Sequence, residues 1–337
     1  MDEILAQVKA VRQSLGWFDR SAFGMLTIVG RDRYSWLQGM ISNDVKLLAN
    51  GLSDRLSAFI LDPTGHVIAD ITLIDLREGA LGASHLPSNP GLLLETPPGL
   101  DQAIWDHLNR LLIMEDAEIA NVTERIRCVS LQGLTQSEIG GIERELGDTA
   151  LTVAADHTGS GGIDVYIDES RYADIRDLLN RSSAVEIGPT AQEILRIEAG
   201  IPKFGVDMHQ TTLAPEVGVS ATHISLTKGC YVGQEIVARI DSRGHTNRAL
   251  TGLVTLGETV PTPSEKLYSD ELFGDGKEVG WITSVAACAP SVGNRPIALG
   301  FVRHEHRSPG TWLRLGAPDS QRKVEVAELP FYRKPGE

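Results

Sequence analysis

Apolar residues near the amino end fall at Ile4, Leu5, Val8 and Val11, the spacing of one helix face, and the stripe stops at Gly16. The run Ala22 to Val29 is β-rich and predicts a strand. Tyr34, Leu37, Met40 and Ile41 then restore helical spacing, so a strand-to-helix unit is expected. Two further β-rich runs flank Asp62-Pro63-Thr64-Gly65, where proline presets one turn position and glycine accepts positive φ; a hairpin follows. Residues 84 to 98 collect proline, glycine and serine around a short apolar run, and a helix is expected from Gly99 to about Met114. Strands and helices alternate to about residue 200. There Gly188-Pro189 opens a short helix that Gly200 closes. Beyond Gly244 the pattern becomes short β-rich runs separated by turns, the signature of a small barrel or sandwich.

A chain of 337 residues predicts two or three packed units. No window approaches the eighteen apolar residues of a membrane span, and the acidic opening residues suit neither a secretory signal nor a transit peptide, so the expected address is the cytoplasm, with no membrane partner. The formal charge of −14 would repel a phosphate backbone, which argues against direct nucleic-acid binding. Cys128, Cys230 and Cys288 stand far apart without a CxxC pair, so neither a disulfide framework nor a self-contained zinc site is written in the chain.

Three residues attract attention on chemical grounds. Cys230, in KGCYVGQE, precedes a helix expected near Gly233 and lies two residues from Lys228; unpaired helix N–H groups and a cation both favour thiolate. The plain alternative is a small buried hydrophobe. Glu198 continues the stripe Ala191, Ile194, Leu195 and so puts a carboxylate on an apolar face, in the last helical turn where the dipole disfavours it. Such a group could accept paired N–H bonds from a flat heterocycle, or be paired with Arg196 or solvated. Asp70 interrupts the returning hairpin strand, where aspartate is rare; it reads as a base or acceptor facing a pocket, or as part of an exposed face. His223, His304 and His306 read as surface residues, and Gly159 to Gly162 as a turn, because no phosphate-cradling pattern surrounds them.

KGCYVGQE followed by IVAR resembles the signature of the YgfZ family, folate-binding proteins related to the T-protein (aminomethyltransferase) of the glycine cleavage system. QGMISNDV, which contains Asn43, is similar to a T-protein segment. GHVIADITLI resembles the hairpin that bears the functional aspartate, placing Asp70 on it, and LRIEAGIP resembles the segment whose glutamate holds the pterin, placing Glu198 on it. The chain departs from T-proteins at Cys230-Tyr231-Val232-Gly233, where they carry an acidic residue and then Phe-Ile-Gly.

The resemblance implies an α+β fold of three domains around a central channel: residues 1–48 with 120–212, residues 49–119 with 213–245, and a small β-barrel from 246 to 337. It implies tetrahydrofolate or a one-carbon derivative in the channel, with Asp70 near its reactive nitrogens. Glu198 would orient the pterin, and Asn43 and Tyr231 would join the binding set; on charge alone, Lys228 and Arg239 are read as meeting the folate's glutamate tail or tuning the thiol. Cys230 would be accessible beside the channel, its flanking glycines allowing close approach to a ligand or partner. The implied function is assistance to iron–sulfur cluster assembly or repair in client enzymes, some of them tRNA-modifying, with iron–sulfur client or assembly proteins as partners. The rival readings are a folate-dependent aminomethyltransferase or demethylase, with Asp70 assisting carbon transfer, and a non-catalytic scaffold.

Overall fold

The computed structural model describes residues 2–76, 81, 91–133, 136–182, 184–257, 259–270 and 276–334. Residues 84–90 of the proline- and glycine-rich stretch singled out at 84–98 therefore lie outside the described residues; its apolar run is the strand Gly91–Thr96.

The amino-terminal stripe forms α1 (Asp2–Gln13), which buries Val8 and Val11. Strand β1 (Gly16–Asp19) follows, then β2 (Gly24–Val29), α2 (Arg33–Met40) and a single turn α3 (Lys46–Ala49). The expected hairpin is β3 (Arg55–Leu61) and β4 (Val67–Leu76). Asp62 explains its tight turn: Oδ1 accepts from the backbone N–H groups of Thr64 and His66 at 2.8 and 3.0 Å, and Gly65 sits at φ +81°. After β5 (Gly91–Thr96) come α4 (Asp101–Leu111) and β6 (Glu118–Asn121). These strands make one five-stranded sheet in the order β3-β4-β5-β2-β6. Thus β2, inside the first unit expected above, pairs with β5 and with β6, which straddles the expected boundary between residues 119 and 120.

The other five-stranded sheet uses β1 with β7 (Ile126–Gln132), β8 (Ala150–Ala154), β9 (Gly162–Asp168) and β10 (Val185–Glu186), in the order β10-β1-β7-β9-β8. Helices α5 (Gln136–Leu146) and α6 (Tyr172–Arg181) accompany it; Ile175 and Leu179 pack with Val129, Val165 and Ile167 of its strands. The two sheets meet face to face through Met25, Ile74 and Leu93 on one side and Cys128, Val153 and Tyr166 on the other. Leu37, Ile104 and Leu108 from α2 and α4 cover the remaining face of the β3–β6 sheet.

Helix α7 (Pro189–Glu198) begins with proline at its first turn and is followed by Gly200 at φ +69°. Ile194, Leu195 and Ile197 join α1 to barrel residues Leu250, Ile297 and Phe301. Two more helices, α8 (Ser220–His223) and α9 (Gln234–Arg243), lead into the last unit. That unit is a closed barrel of six strands: β11 (Arg248–Thr255), β12 (Lys266–Ser269), β13 (Glu278–Ala289), β14 (Arg295–Arg303), β15 (Trp312–Leu315) and β16 (Lys323–Ala327). Alternation packs its interior with Leu253, Ile282, Ala298, Leu313 and Val324. The fold is therefore α+β with a carboxy-terminal β-barrel. Among the described residues, no helix is long and apolar enough to cross a membrane.

Candidate functional site

A cavity of about 640 Å³ opens between the two sheets, bounded by both sheets, the end of α7 and α8. Its volume suits a drug-sized organic ligand. Apolar walls come from Phe18, Phe23, Ile201, Phe204 and Val219, and the loop Pro97-Pro98 lies at one edge.

The period of two along β4 explains why Asp70 reaches this space. Ala69, Ile71 and Leu73 enter the core shared with α2 and α4, so Asp70 and Thr72 point the other way, into the cavity. Cross-strand pairing sets Ser57 beside Thr72 and Glu95 on its far side, giving a polar strip over three strands. Asp70 Oδ1 lies 3.3 Å from Nε2 of His223, which stacks on Phe59 with ring centroids 4.9 Å apart. The pocket-facing reading of Asp70 is the one this geometry matches.

His223, read from the sequence as a surface residue, instead lines the cavity. Loop-to-sheet hydrogen bonds hold it there: Ser42 Oγ donates to His223 O at 2.6 Å, and Asn43 Nδ2 donates to Thr222 O at 2.9 Å and to Ser57 O at 2.8 Å. Asn43 thus serves α8 and β3; it is not among the cavity-lining residues. The sequence signal for His223 was its place shortly before the glycine-flanked cysteine, but its partner is distant in sequence.

Beneath the cavity lies a buried ionic group. Arg20 pairs with Glu95 and lies 3.6 Å from Asp164. Tyr166 Oη donates to Glu95 at 3.0 Å, and His157 Nε2 is 2.9 and 3.1 Å from the two Asp164 oxygens. Burial alone would lower the pKa of Arg20, but Glu95 and Asp164 more than offset it and hold the guanidinium charged. Asp164 is the mirror case: burial favours the acid, yet His157 and Arg20 drive it well below the usual carboxylate range. Glu95, Cys128 and Asp164 place potential ligand atoms near one another. Burial and the two acids push the Cys128 thiol far up, however, and the Arg20 guanidinium already supplies the cation that the carboxylates require. The donor set is that of an ion pair network, with no free thiolate for a metal.

Glu198 departs from its expected place. It is fully buried, but its carboxylate pairs with Arg12 and accepts the Ser291 N–H at 2.8 Å, at the junction of α1, α7 and the barrel. The cavity is reached by its neighbours Ala199 and Gly200 instead. Arg196, the alternative partner, binds Glu193 and Asp207.

The KGCYVGQE segment also differs in detail. Cys230 is exposed, as an accessible thiol requires, but it is absent from the cavity lining. Lys228 turns inward, and Nζ donates to Ile41 O and Asn43 O at 2.8 and 2.6 Å; burial lowers its pKa to about 8. It therefore caps the end of α2 rather than meeting a ligand tail. Tyr231 is buried, with its hydroxyl unpartnered and its pKa raised to about 12 by that burial. Arg239 pairs with Glu235 on the outer face of α9, away from the cavity. Gly233, at φ +83°, would bring a Cβ within 2.6 Å of Asp62 O, so it admits the β3–β4 turn, whereas a Cβ on Gly229 would meet nothing within 4 Å.

A second cavity, about 430 Å³, lies beside the barrel around Trp281, Arg248 and Glu216. Its interior charges satisfy each other, with Arg248 and Glu216 3.1 Å apart, and His245 stacks on His304 at 4.3 Å. The larger cavity is the better candidate because its Asp–His pair faces open space.

Residues 1–139 match the GCVT N-terminal domain, and residues 248–333 match the glycine cleavage T-protein C-terminal barrel domain. The chain carries both of these domains. Among curated relatives are aminomethyltransferases from Nostoc (25% identical, 98% of this chain and 88% of the relative) and Streptomyces avermitilis (26%, 96% and 88%). The glycine cleavage system aminomethyltransferase T of Bartonella henselae superposes with a TM-score of 0.83 over 98% of this chain and 90% of its own, at 18% identity. The T-protein fold is thereby established for this chain.

Proposed function

We propose that this protein is a folate-dependent one-carbon transferase of the aminomethyltransferase kind, acting in the cavity between its two sheets. The observation that carries this reading is the Asp70–His223 pair facing that cavity in a T-protein fold. The lining suits tetrahydrofolate: aromatic and aliphatic walls for a flat ring, acceptors for its N–H groups, and Arg55 and Lys203 for carboxylates. Bound there, tetrahydrofolate supplies the nitrogen that takes up the one-carbon unit.

The chain's own residues supply position and proton handling. Asp70 is placed to accept a proton from a nitrogen that becomes substituted, and His223 Nε2 holds the carboxylate in one orientation. Phe59, stacked on His223, and the pairing of β4 keep the two from drifting apart. The apolar walls limit water around the reacting groups.

The test is incubation of purified protein with tetrahydrofolate and an aminomethyl donor, following ammonia release and one-carbon-substituted folate. Turnover that is lost in Asp70→Asn and retained in Cys230→Ala supports the reading. Absence of turnover in the wild type, with folate binding intact, would remove the transferase assignment.

A second reading is favoured by one observation, the exposed thiol of Cys230 in KGCYVGQE. In it the chain binds folate as a YgfZ-type protein and uses that thiol toward iron–sulfur client or assembly proteins. Complementation of an iron–sulfur-defective strain by wild type but not by Cys230→Ala would support this role.

A further inference from the structure

Glu198, to which the resemblance gives the ring-holding role, does not line the cavity, because it is committed to Arg12 and the Ser291 N–H. The same corner contains a half-buried acceptor. The loop carrying His157 packs against the end of α7: a Cβ on Gly159 would lie 3.2 Å from that of Ala199. His157 and Thr158 line the cavity beside Ala199 and Gly200.

The state of the imidazole follows from its neighbours. A carboxylate accepts only, so Asp164, within 2.9 Å, requires the proton on Nε2. Burial and the nearby Arg20 charge lower the His157 pKa despite Asp164, so the ring is neutral at pH 7. A neutral ring protonated at Nε2 has its lone pair on Nδ1, and that atom makes no hydrogen bond among the described residues. The ring is also fixed: the His157 N–H donates to Gln132 Oε1 at 3.0 Å, and Phe18 meets the imidazole edge-on at 6.1 Å. The charged groups around it are Arg20, Arg55, Glu95 and Asp164, with Asp156 next in sequence.

We propose that His157, held by Asp164, is the ligand-positioning residue of the cavity, with Nδ1 accepting a hydrogen bond from an N–H of a bound nitrogen heterocycle. This inference rests on the folate reading above. Its structural cause is the Asp164 contact, which reserves one ring nitrogen and leaves the other without a hydrogen bond among the described residues. It assigns binding on this wall to an imidazole and leaves proton acceptance to Asp70 on the opposite sheet.

The test combines calorimetry on the full chain under reducing conditions with nitrogen NMR of protein carrying 15N-histidine. Tetrahydrofolate should bind about tenfold more weakly to His157→Phe than to wild type, the scale of one lost hydrogen bond. On saturation of the wild type, the Nδ1 resonance absent from His157→Gln should move upfield while Nε2 stays protonated. If wild type binds but that resonance does not move, the inference is overturned and the folate reading stands. Wild type that fails to bind tetrahydrofolate overturns both. The resonance decides the matter even if His157→Phe does not fold.

Discussion

Asp70 Oδ1 and His223 Nε2 face one another at 3.3 Å across the junction of a strand and a one-turn helix. The pair needs no long-range motion to assemble, because hydrogen bonds from Ser42 and Asn43 already fasten α8 to the sheet. Replacing Asp70 by Asn preserves shape and removes the base. Turnover should fall by about 10²–10⁴-fold while folate affinity changes by only a few-fold, as steady-state rates and calorimetry would show. An equal loss of affinity and turnover would mark Asp70 as a binding group alone.

Arg20 neutralises two buried acids, and its removal should cost far more than that of a surface ion pair. Arg20→Met leaves Glu95 and Asp164 facing each other without a cation. A loss of about 3–5 kcal/mol in urea unfolding is expected. Arg31→Met, which breaks an exposed pair with Asp116, should leave the urea unfolding midpoint close to that of wild type.

Lys228 gives an alkaline signature. Its folded pKa of about 8 lies below the ordinary 10.5, so between those values the unfolded chain binds more protons and stability rises with pH. The neutral amine keeps N–H groups for Ile41 O and Asn43 O, so deprotonation does not dissolve the cap. Comparing unfolding of wild type and Lys228→Met from pH 7 to 10 should show this rise in the wild type alone.

The three thiols should separate by accessibility. Cys230 is exposed, Cys288 half-buried and Cys128 sealed between the sheets. Iodoacetamide followed by mass spectrometry should modify Cys230 first, and Cys128 only after denaturant is added. Early labelling of Cys128 would contradict the packing of the two sheets.

Local signals were the most legible part of this fold. Proline at the start and Gly200 beyond the end gave α7 its bounds, and the Asp62–Gly65 turn gave the β3–β4 hairpin. Short β-rich runs disclosed the barrel, but β12 contributes only Leu267 to the barrel core and carries too little apolar alternation to read. Tertiary partners were less accessible. The carboxylate of Glu198 does break helix rules, yet the compensation is Arg12 from α1, which no window around α7 contains. His223 looked like surface because its partner and stacking ring come from the preceding hairpin. Arg239 satisfied a charge argument, but its side chain faces outward on α9 beside Glu235.

The backbone of Gly233 rests against the Asp62–Gly65 turn, and a Cβ on Gly65 would in turn touch Ile236. Cys230 and the strand that bears Asp70 consequently share one footing. A macromolecule that grips the thiol-bearing surface takes hold of the cavity's floor at its anchored end, although it never enters the cavity.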